Sequence, residues 1–432
     1  MKIGIVADDL TGANATGVLL NKQGFTSATV VQTTDIETSS EMNALCIDTD
    51  SRYAPDDVVI DKVSKATKHF LKWGAQIISK RIDSTIRGKI GLEIDTVLNE
   101  LGDNSVAIVV GAFPDSGRVC SGGYLLVDGV PVQETDVAKD PQKGIHSSYI
   151  PGVIANQSHH FVGYIGLDQV LAKDGALFNA ISAQIKQGNR IIVIDAVRDE
   201  DIDAIAHAMA QVKDTTLIPV DPGPLTAAYA TAYFDQFVER KKVIVTVGSV
   251  TSLSKKQLAY VQRKTNTVPI VISAERLARL DTWEDEVKAR SQEAINRIDD
   301  NDVLVITTVS ESGKLIDLAK LAKEQSTTGS LLAKKITDGL AQVTCNVMKI
   351  TKHDIQGCFT SGGDVTASLC SATNSSGILL EDEVFPLAAF GRLMGGDFPE
   401  QPIITKGGLI GDEKAIYKCI KYFNTQHSRK TI

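Results

Sequence analysis

Short β-branched runs alternate with longer amphipathic helical patterns along the whole sequence, and that alternation admits few folds. Parallel strands need crossover connections, and the helices that make them cover both faces of the sheet. Strands are predicted at Ile3-Ala7, Ser27-Val31, Ala44-Asp48, Gln76-Lys80, Val106-Val110 and Arg190-Asp195. Helices are predicted at Ala13-Lys22, Asp56-Trp73, Gly91-Leu101, Ala176-Gln187 and Asp199-Val212. The breaker Asp221-Pro222-Gly223-Pro224 and a helix over Leu225-Val238 interrupt the pattern, which then begins again. Strands follow at Val243-Val247, Pro269-Ile272, Val303-Thr307, Val343-Met348, Gly377-Leu380 and Pro402-Thr405. Helices follow at Leu253-Arg263, Thr282-Ile298, Ser312-Gln325, Ser330-Cys345 and Val365-Thr373. A chain of 432 residues is too long for one ordinary core. The expected fold class is therefore α/β in two domains, residues 1–235 and 240–432, each a mainly parallel sheet flanked by helices. Phe113-Val162 breaks the rhythm with a hairpin around Asp128-Gly129 and long loop.

Composition removes several classes of function. The formal net charge is −8 and no Lys/Arg block exists, which argues against nucleic acid and anionic membranes as partners. No apolar run approaches the ~20 residues of a membrane span. A strand beginning at Ile3 leaves no room for a signal peptide. The six cysteines show no CxxC spacing and read as reduced thiols, so a cytoplasmic location is expected. Seven histidines give no HxxxH or HExxH spacing, and His159-His160 reads as a solvated loop pair.

Chemistry concentrates where strands end. The first strand runs into two adjacent carboxylates, Asp8 and Asp9, which repel each other unless a cation or donor lies nearby. Three more strand-end loops carry charge: Asp48-Thr49-Asp50-Ser51-Arg52, Lys80-Arg81-Ile82-Asp83-Ser84-Thr85-Ile86-Arg87-Gly88 and Phe113-Pro114-Asp115-Ser116-Gly117-Arg118. In a parallel sheet these four converge on one edge. Arg52, Lys80, Arg81, Arg87 and Arg118 would face Asp8, Asp9, Asp50, Asp83 and Asp115. Arginine forks hold carboxylates and aspartates accept hydroxyl protons, so the set suits a small, anionic, polyhydroxylated molecule. Any one loop alone would read as surface ion pairs.

The second half carries three glycine-rich loops: Gly248-Ser249-Val250-Thr251-Ser252, Thr360-Ser361-Gly362-Gly363-Asp364 and Lys406-Gly407-Gly408-Leu409-Ile410-Gly411-Asp412. Glycines and hydroxyls at a helix N-terminus cradle phosphate through backbone N–H groups and the helix dipole. No Walker A or GxGxxG sequence supports a P-loop or dinucleotide-binding domain.

These motifs together resemble the four-carbon acid sugar kinase family over nearly the whole chain. Ala7-Asp8-Asp9-Leu10-Thr11-Gly12-Ala13 looks like its opening motif, and Lys80 to Gly88 looks like its Lys-Xaa-Asp-Ser-Thr-Xaa-Arg-Gly motif. Gly248-Ser249, Ser361-Gly362-Gly363-Asp364 and Gly407-Gly408 are similar to its nucleotide-binding segments. Two departures are Arg81, where lysine is common, and Gly248-Ser249-Val250-Thr251, where the family has Gly-Ser-Cys-Ser. The resemblance implies an N-terminal acid-sugar domain, a C-terminal ATP domain and an active site in the cleft between them. It implies phosphorylation of the terminal hydroxyl of a four-carbon sugar acid, D-threonate or D-erythronate first and 3-oxo-tetronates as the alternative. Asp9, Arg52, Arg81, Ile82, Asp83, Ser84, Arg87 and Arg118 would bind the acid, with Asp8 or Asp9 as proton acceptor. Ser249 or Ser252, Ser361, Gly362, Gly363, Asp364, Gly407 and Gly408 would bind ATP. Asp364 would either contact Mg²⁺ or cap its helix. A homodimer is compatible with these features. The rival from another class is a sensor that binds both ligands without transfer.

Overall fold

The computed structural model describes residues 1–31, 42–140, 144–172, 175–237, 241–248, 250–309, 316–351 and 355–431, the last five by backbone alone. It divides into two compact units at residues 239/240.

The first unit is built on eight parallel strands. They are β1 (Ile3–Ala7), β2 (Ser27–Val30), β3 (Ala44–Asp48), β4 (Ile77–Arg81) and β5 (Ser105–Val109), then β9 (Val162–Ile165), β10 (Ile191–Ile194) and β11 (Thr216–Asp221). Their order across the sheet is β2-β3-β1-β4-β11-β5-β10-β9. A small antiparallel sheet joins β6 (Arg118–Ser121), β7 (Tyr124–Val127) and β8 (Val130–Pro131), and contains the hairpin expected at Asp128-Gly129. Both faces of the large sheet are covered, so β1, β5 and β10 are buried along their length and read as mainly apolar runs, whereas the edge strands β2 and β9 are only partly buried. Helix α1 (Leu10–Lys22) follows β1 at once, and α2 (Asp56–Trp73) and α3 (Ile90–Leu101) follow β3 and β4.

The second unit has five parallel strands extended by an antiparallel pair. These are β12 (Lys242–Val247), β13 (Ile270–Val271), β14 (Val303–Thr307), β15 (Ile355–Ser361), β16 (Gly377–Phe385), β17 (Ala388–Met394) and β18 (Pro402–Lys406). The order is β13-β14-β12-β15-β18-β17-β16, so β12, β15 and β18 lie side by side.

One predicted strand is wrong. Val343-Met348 lies inside the helix Gly329–Ile350. Leu332, Gly339, Leu340, Val343, Thr344, Val347 and Met348 are buried at helical spacing, and packing of that stripe overrides the β-branched run. Five strands were not expected: β6, β9, β11, β15 and β17. β11 carries Pro219 in a central position, which argues against a strand. The proline is tolerated because β11 pairs with β4 only at Val220 and Asp221, and along its earlier residues with β5 alone. In β15, Gly357 leaves room for Phe423, whose ring would lie 2.2 Å from an added Cβ. Part of the predicted helix Ser312-Gln325 falls outside the described residues, and the remainder is helical over Leu318–Glu324.

Candidate functional site

The carboxyl ends of β1, β3 and β4 are adjacent, because β1 pairs with β3 on one side and β4 on the other. That register sets Ala7 beside Asp48 and Arg81. The chain then delivers Asp8 and Asp9, Arg52, Arg81 and Asp83 into one cluster. Asp8 is almost fully buried, at 2% exposure. Its two oxygens accept from Arg52 Nε at 2.6 Å and Arg81 Nη1 at 2.8 Å. Asp9 caps α1, with Oδ1 accepting from Gly12 N at 2.8 Å and from Arg81 Nη1 at 2.8 Å. Its side chain is 29% exposed, and among the described residues Oδ2 accepts no hydrogen bond. Thus the repulsion between adjacent aspartates is relieved by two arginines shared between them. Gly12 is required here: an added Cβ would lie 1.8 Å from Arg81 Cζ.

Arg52 Nη2 sits 3.0 Å from Asp9 Oδ1 and 3.5 Å from Asp83 Oδ1, yet it is not aligned for a hydrogen bond. The distance gives attraction while the angle leaves a donor unused. Arg81 Nε is likewise buried with no acceptor. Unused buried donors cost about 1–3 kcal/mol each, so the cluster is left short of acceptors.

Asp83 anchors the other side. It accepts from Arg87 Nε at 2.8 Å and Nη2 at 3.0 Å, and from Thr85 N at 3.2 Å. Burial opposes its charge, but Arg87, the nearby Arg52 and Thr85 outweigh burial and hold the carboxyl below its ordinary range. Stabilisation from a depressed carboxyl is present above its unfolded pKa of about 3.9 and is lost as pH falls further. Asp83→Asn is therefore expected to lower the melting temperature most at neutral pH. The gap to wild type should narrow below about pH 4. A gap that persists unchanged into acid would show that the charge is not what matters. Arg87 also donates to Asp140 Oδ2 at 2.9 Å, and Tyr53 donates to the same oxygen at 3.0 Å. Asp140 belongs to the long loop that follows the hairpin, of which residues 141–143 lie outside the described residues.

Several sequence candidates do not join the cluster. Lys80 is fully buried beneath it, with Nζ 3.1 Å from Glu93 and donating to the Arg81 carbonyl at 2.7 Å. Ser51 donates to the same glutamate. Asp50 is exposed and pairs with Lys62 at 3.6 Å, and Asp115 is exposed. Arg118 donates to the Ser116 carbonyl, and its buried Nε has no acceptor. Ile82 is buried and donates its N–H to the Asp221 carbonyl at 3.1 Å. Ser84 is half-buried within the same loop.

In the second unit, loops after β12, β15 and β18 meet at one edge. Thr251 Oγ1 and Ser254 Oγ each donate to the Gly408 carbonyl at 3.2 Å. Gly362 N donates to the Lys406 carbonyl at 2.9 Å. Gly362 has φ +108, a conformation that favours glycine, and caps the helix Gly363–Ala372 without a side chain. The first N–H groups of that helix have no intrahelical acceptor, and Gly363 at its start is exposed. Asp364 is the helix's second residue, exposed and making no capping bond, so its role as a cap is not realised. Ser361 is buried, Gly407 is exposed, and Ser252 is the exposed first residue of the helix Ser252–Thr265. Ser249 lies outside the described residues. Sequence reasoning missed Lys406 as a site residue. Its ammonium is buried between Ser361 and Gly407, at the start of a loop that the sequence marked only by its glycines.

Comparison with known proteins agrees with this two-part layout. Residues 3–229 match a family model described as a sugar-binding N-terminal domain, and residues 244–416 match one described as a nucleotide-binding C-terminal domain. The chain is 41% identical to a D-erythronate kinase of Heliobacterium modesticaldum, across 99% of this chain and 98% of that one. It is 29% identical to a D-threonate kinase of Salmonella typhimurium, across 99% of both. Its fold matches a Bordetella bronchiseptica protein of a domain family of unknown function, solved with bound citrate as a domain-swapped dimer. That match has a TM-score of 0.74 at 24% identity, over 98% of this chain and 99% of the other. No described helix is long and apolar enough to cross a membrane.

Proposed function

Because this chain belongs to the family that joins a sugar-binding N-terminal domain to a nucleotide-binding C-terminal domain, the four-carbon acid sugar kinases, we propose that it transfers the γ-phosphoryl group of ATP to the 4-hydroxyl of a four-carbon sugar acid. The observation that carries this reading is the state of the first cluster. Two arginines retain unused donors while Asp9, the member that solvent reaches, retains an unused oxygen. A molecule with a carboxylate at one end and hydroxyls along its length supplies what each lacks. The Arg52 and Arg81 guanidinia take the carboxylate after a small re-aiming, since their free N–H groups are sealed from water in this state. Asp9 Oδ2 accepts from a hydroxyl. Asp8 has both oxygens occupied by arginine, which leaves Asp9 as the acceptor of the 4-hydroxyl proton.

In the transfer, the 4-oxygen forms a bond to the γ-phosphorus and the bond from that phosphorus to the β–γ bridging oxygen breaks. ADP leaves and the proton passes to Asp9. Such reactions need positioning and charge neutralisation above all. The open N–H groups at Gly363 and the exposed Gly407 supply the positioning in the second unit. Among the described residues no group of three carboxylate, histidine or cysteine side chains could hold a metal. That donor set fits a Mg²⁺ bound mainly through phosphate and water, with Asp364 the one carboxylate of the glycine loops free to touch it. When bound, Mg²⁺ neutralises charge on the phosphates.

D-Erythronate is the first substrate to test, since the relative at 41% identity is a D-erythronate kinase, and D-threonate is the second. The test is ADP release with Mg-ATP across D- and L-erythronate, D- and L-threonate and 3-oxo-tetronates. Turnover is expected with one of the two D-acids and at least tenfold less with the L-acids. Binding of acid and ATP without ADP release would favour the sensor instead. A homodimer, as in the Bordetella relative, belongs to the same proposal.

A further inference from the structure

Lys406 ends β18, beside β15 on one side and β17 on the other. The residue is 3% exposed. Its ammonium donates to Ser361 Oγ at 3.3 Å and to the Gly407 carbonyl at 3.1 Å. Both partners are neutral, and an ammonium has three protons to donate. Among the described residues no carboxylate lies within ion-pair distance. Buried lysines are almost always paired, because an uncompensated charge in a protein interior is costly. Among the described residues, the one titratable group acting on it is Cys419, on the helix Ala415–Thr431. Burial pushes that thiol up to about 12, so it is neutral and offers no counter-charge.

The missing anion has an address. Ser361 directly precedes Gly362 and the open N–H groups of the helix Gly363–Ala372, and Gly407 begins the loop tied to Thr251 and Ser254. Two of the glycine-rich loops therefore touch one buried cation, and the third is tied to them through the Gly408 carbonyl. We propose that Lys406 neutralises a phosphate group of the bound nucleotide, so that the cation left uncompensated in the free protein becomes paired on binding. This deepens the kinase reading and rests on it. In the free protein, burial lowers the Lys406 ammonium to about 8. A phosphate beside it favours the charged form, so nucleotide binding near pH 8 must draw protons from solution.

Calorimetry on the full chain tests this, with ATP, ADP and adenosine as probes in buffers of different ionisation heat. Wild type is expected to take up about half a proton per ATP at pH 8 and close to none at pH 6.8. Lys406→Met is expected to weaken ATP and ADP at least tenfold and abolish the uptake. Its affinity for adenosine, and its thermal stabilisation by the sugar acid, should match wild type. Lys406→Arg, which keeps the charge, should recover most of the ATP affinity without the uptake at pH 8. ATP affinity unchanged in Lys406→Met would overturn the assignment and leave the kinase reading standing. If Lys406→Met does not fold, the wild-type proton balance decides, and no uptake at any pH across the titration range of a lowered lysine overturns the assignment. Wild type that binds no nucleotide would remove the kinase reading itself, and Lys406's role with it.

Discussion

Asp9→Asn is expected to lower kcat for the sugar acid about 100-fold while ATP affinity stays as in wild type. The substitution is nearly isosteric, and asparagine caps helices as well as aspartate does. It can still accept the hydrogen bond that Gly12 N gives to Oδ1 at 2.8 Å, so α1 keeps its start. What it cannot do is take a proton from an attacking hydroxyl. The loss is expected at the lower end of the range for general bases, since phosphoryl transfer leans more on charge neutralisation than on proton removal. Asp8→Asn is the contrast. Asp8 is tied by both oxygens to Arg52 and Arg81, so its loss should act through arginine position and appear in the KM for the acid. Steady-state kinetics separate the two. Unchanged kcat in Asp9→Asn, or a kcat loss confined to Asp8→Asn, would move the base assignment off Asp9.

The clustering of Asp8, Asp9, Arg52 and Arg81 in the first unit was legible in the sequence because its signals are local. A strand that runs into Asp8-Asp9 and a helix fixes where those carboxylates go, and parallel register brings Arg52 and Arg81 to the same edge. Residues whose role depends on what lies beneath them were not legible. Lys80 carries the same charge as Arg81 one position later, but strand alternation turns it to the other face, onto Glu93. Glu93 sits in α3 and gives no sign in the sequence that it is buried. Lys406 is the same problem reversed. Its partner Ser361 ends β15, and Lys406 and Gly407 reach it only because β15 and β18 are neighbours; β15 was not expected. A strand such as Ile-Gln-Gly-Cys-Phe-Thr-Ser has neither alternation nor a continuous apolar run. Its burial comes from both covered faces, which a single segment does not reveal.

Arg81→Met is expected to have the largest effect on stability. Arg81 Nη1 donates to Asp8 and Asp9 together, each at 2.8 Å. Its removal leaves two adjacent carboxylates facing each other, one of them almost fully buried, with Arg52 as the remaining cation. Breaking a buried pair costs about 3–5 kcal/mol, and the partial exposure of Asp9 argues for the lower end. For a unit of this size about 3 kcal/mol is roughly 6–12 °C of melting temperature. Acid binding should fall in parallel, because a carboxylate ligand loses half of its arginine fork. The two effects are separable. Asp8→Asn in the Arg81→Met background removes the charge that was left stranded, so it should restore much of the stability without restoring acid affinity. If Arg81→Met melted with wild type, the cluster would be solvated ion pairs of the kind that any single loop suggests. If the double variant recovered acid binding as well, Arg81 would serve only to hold the aspartates and Arg52 would carry the carboxylate alone.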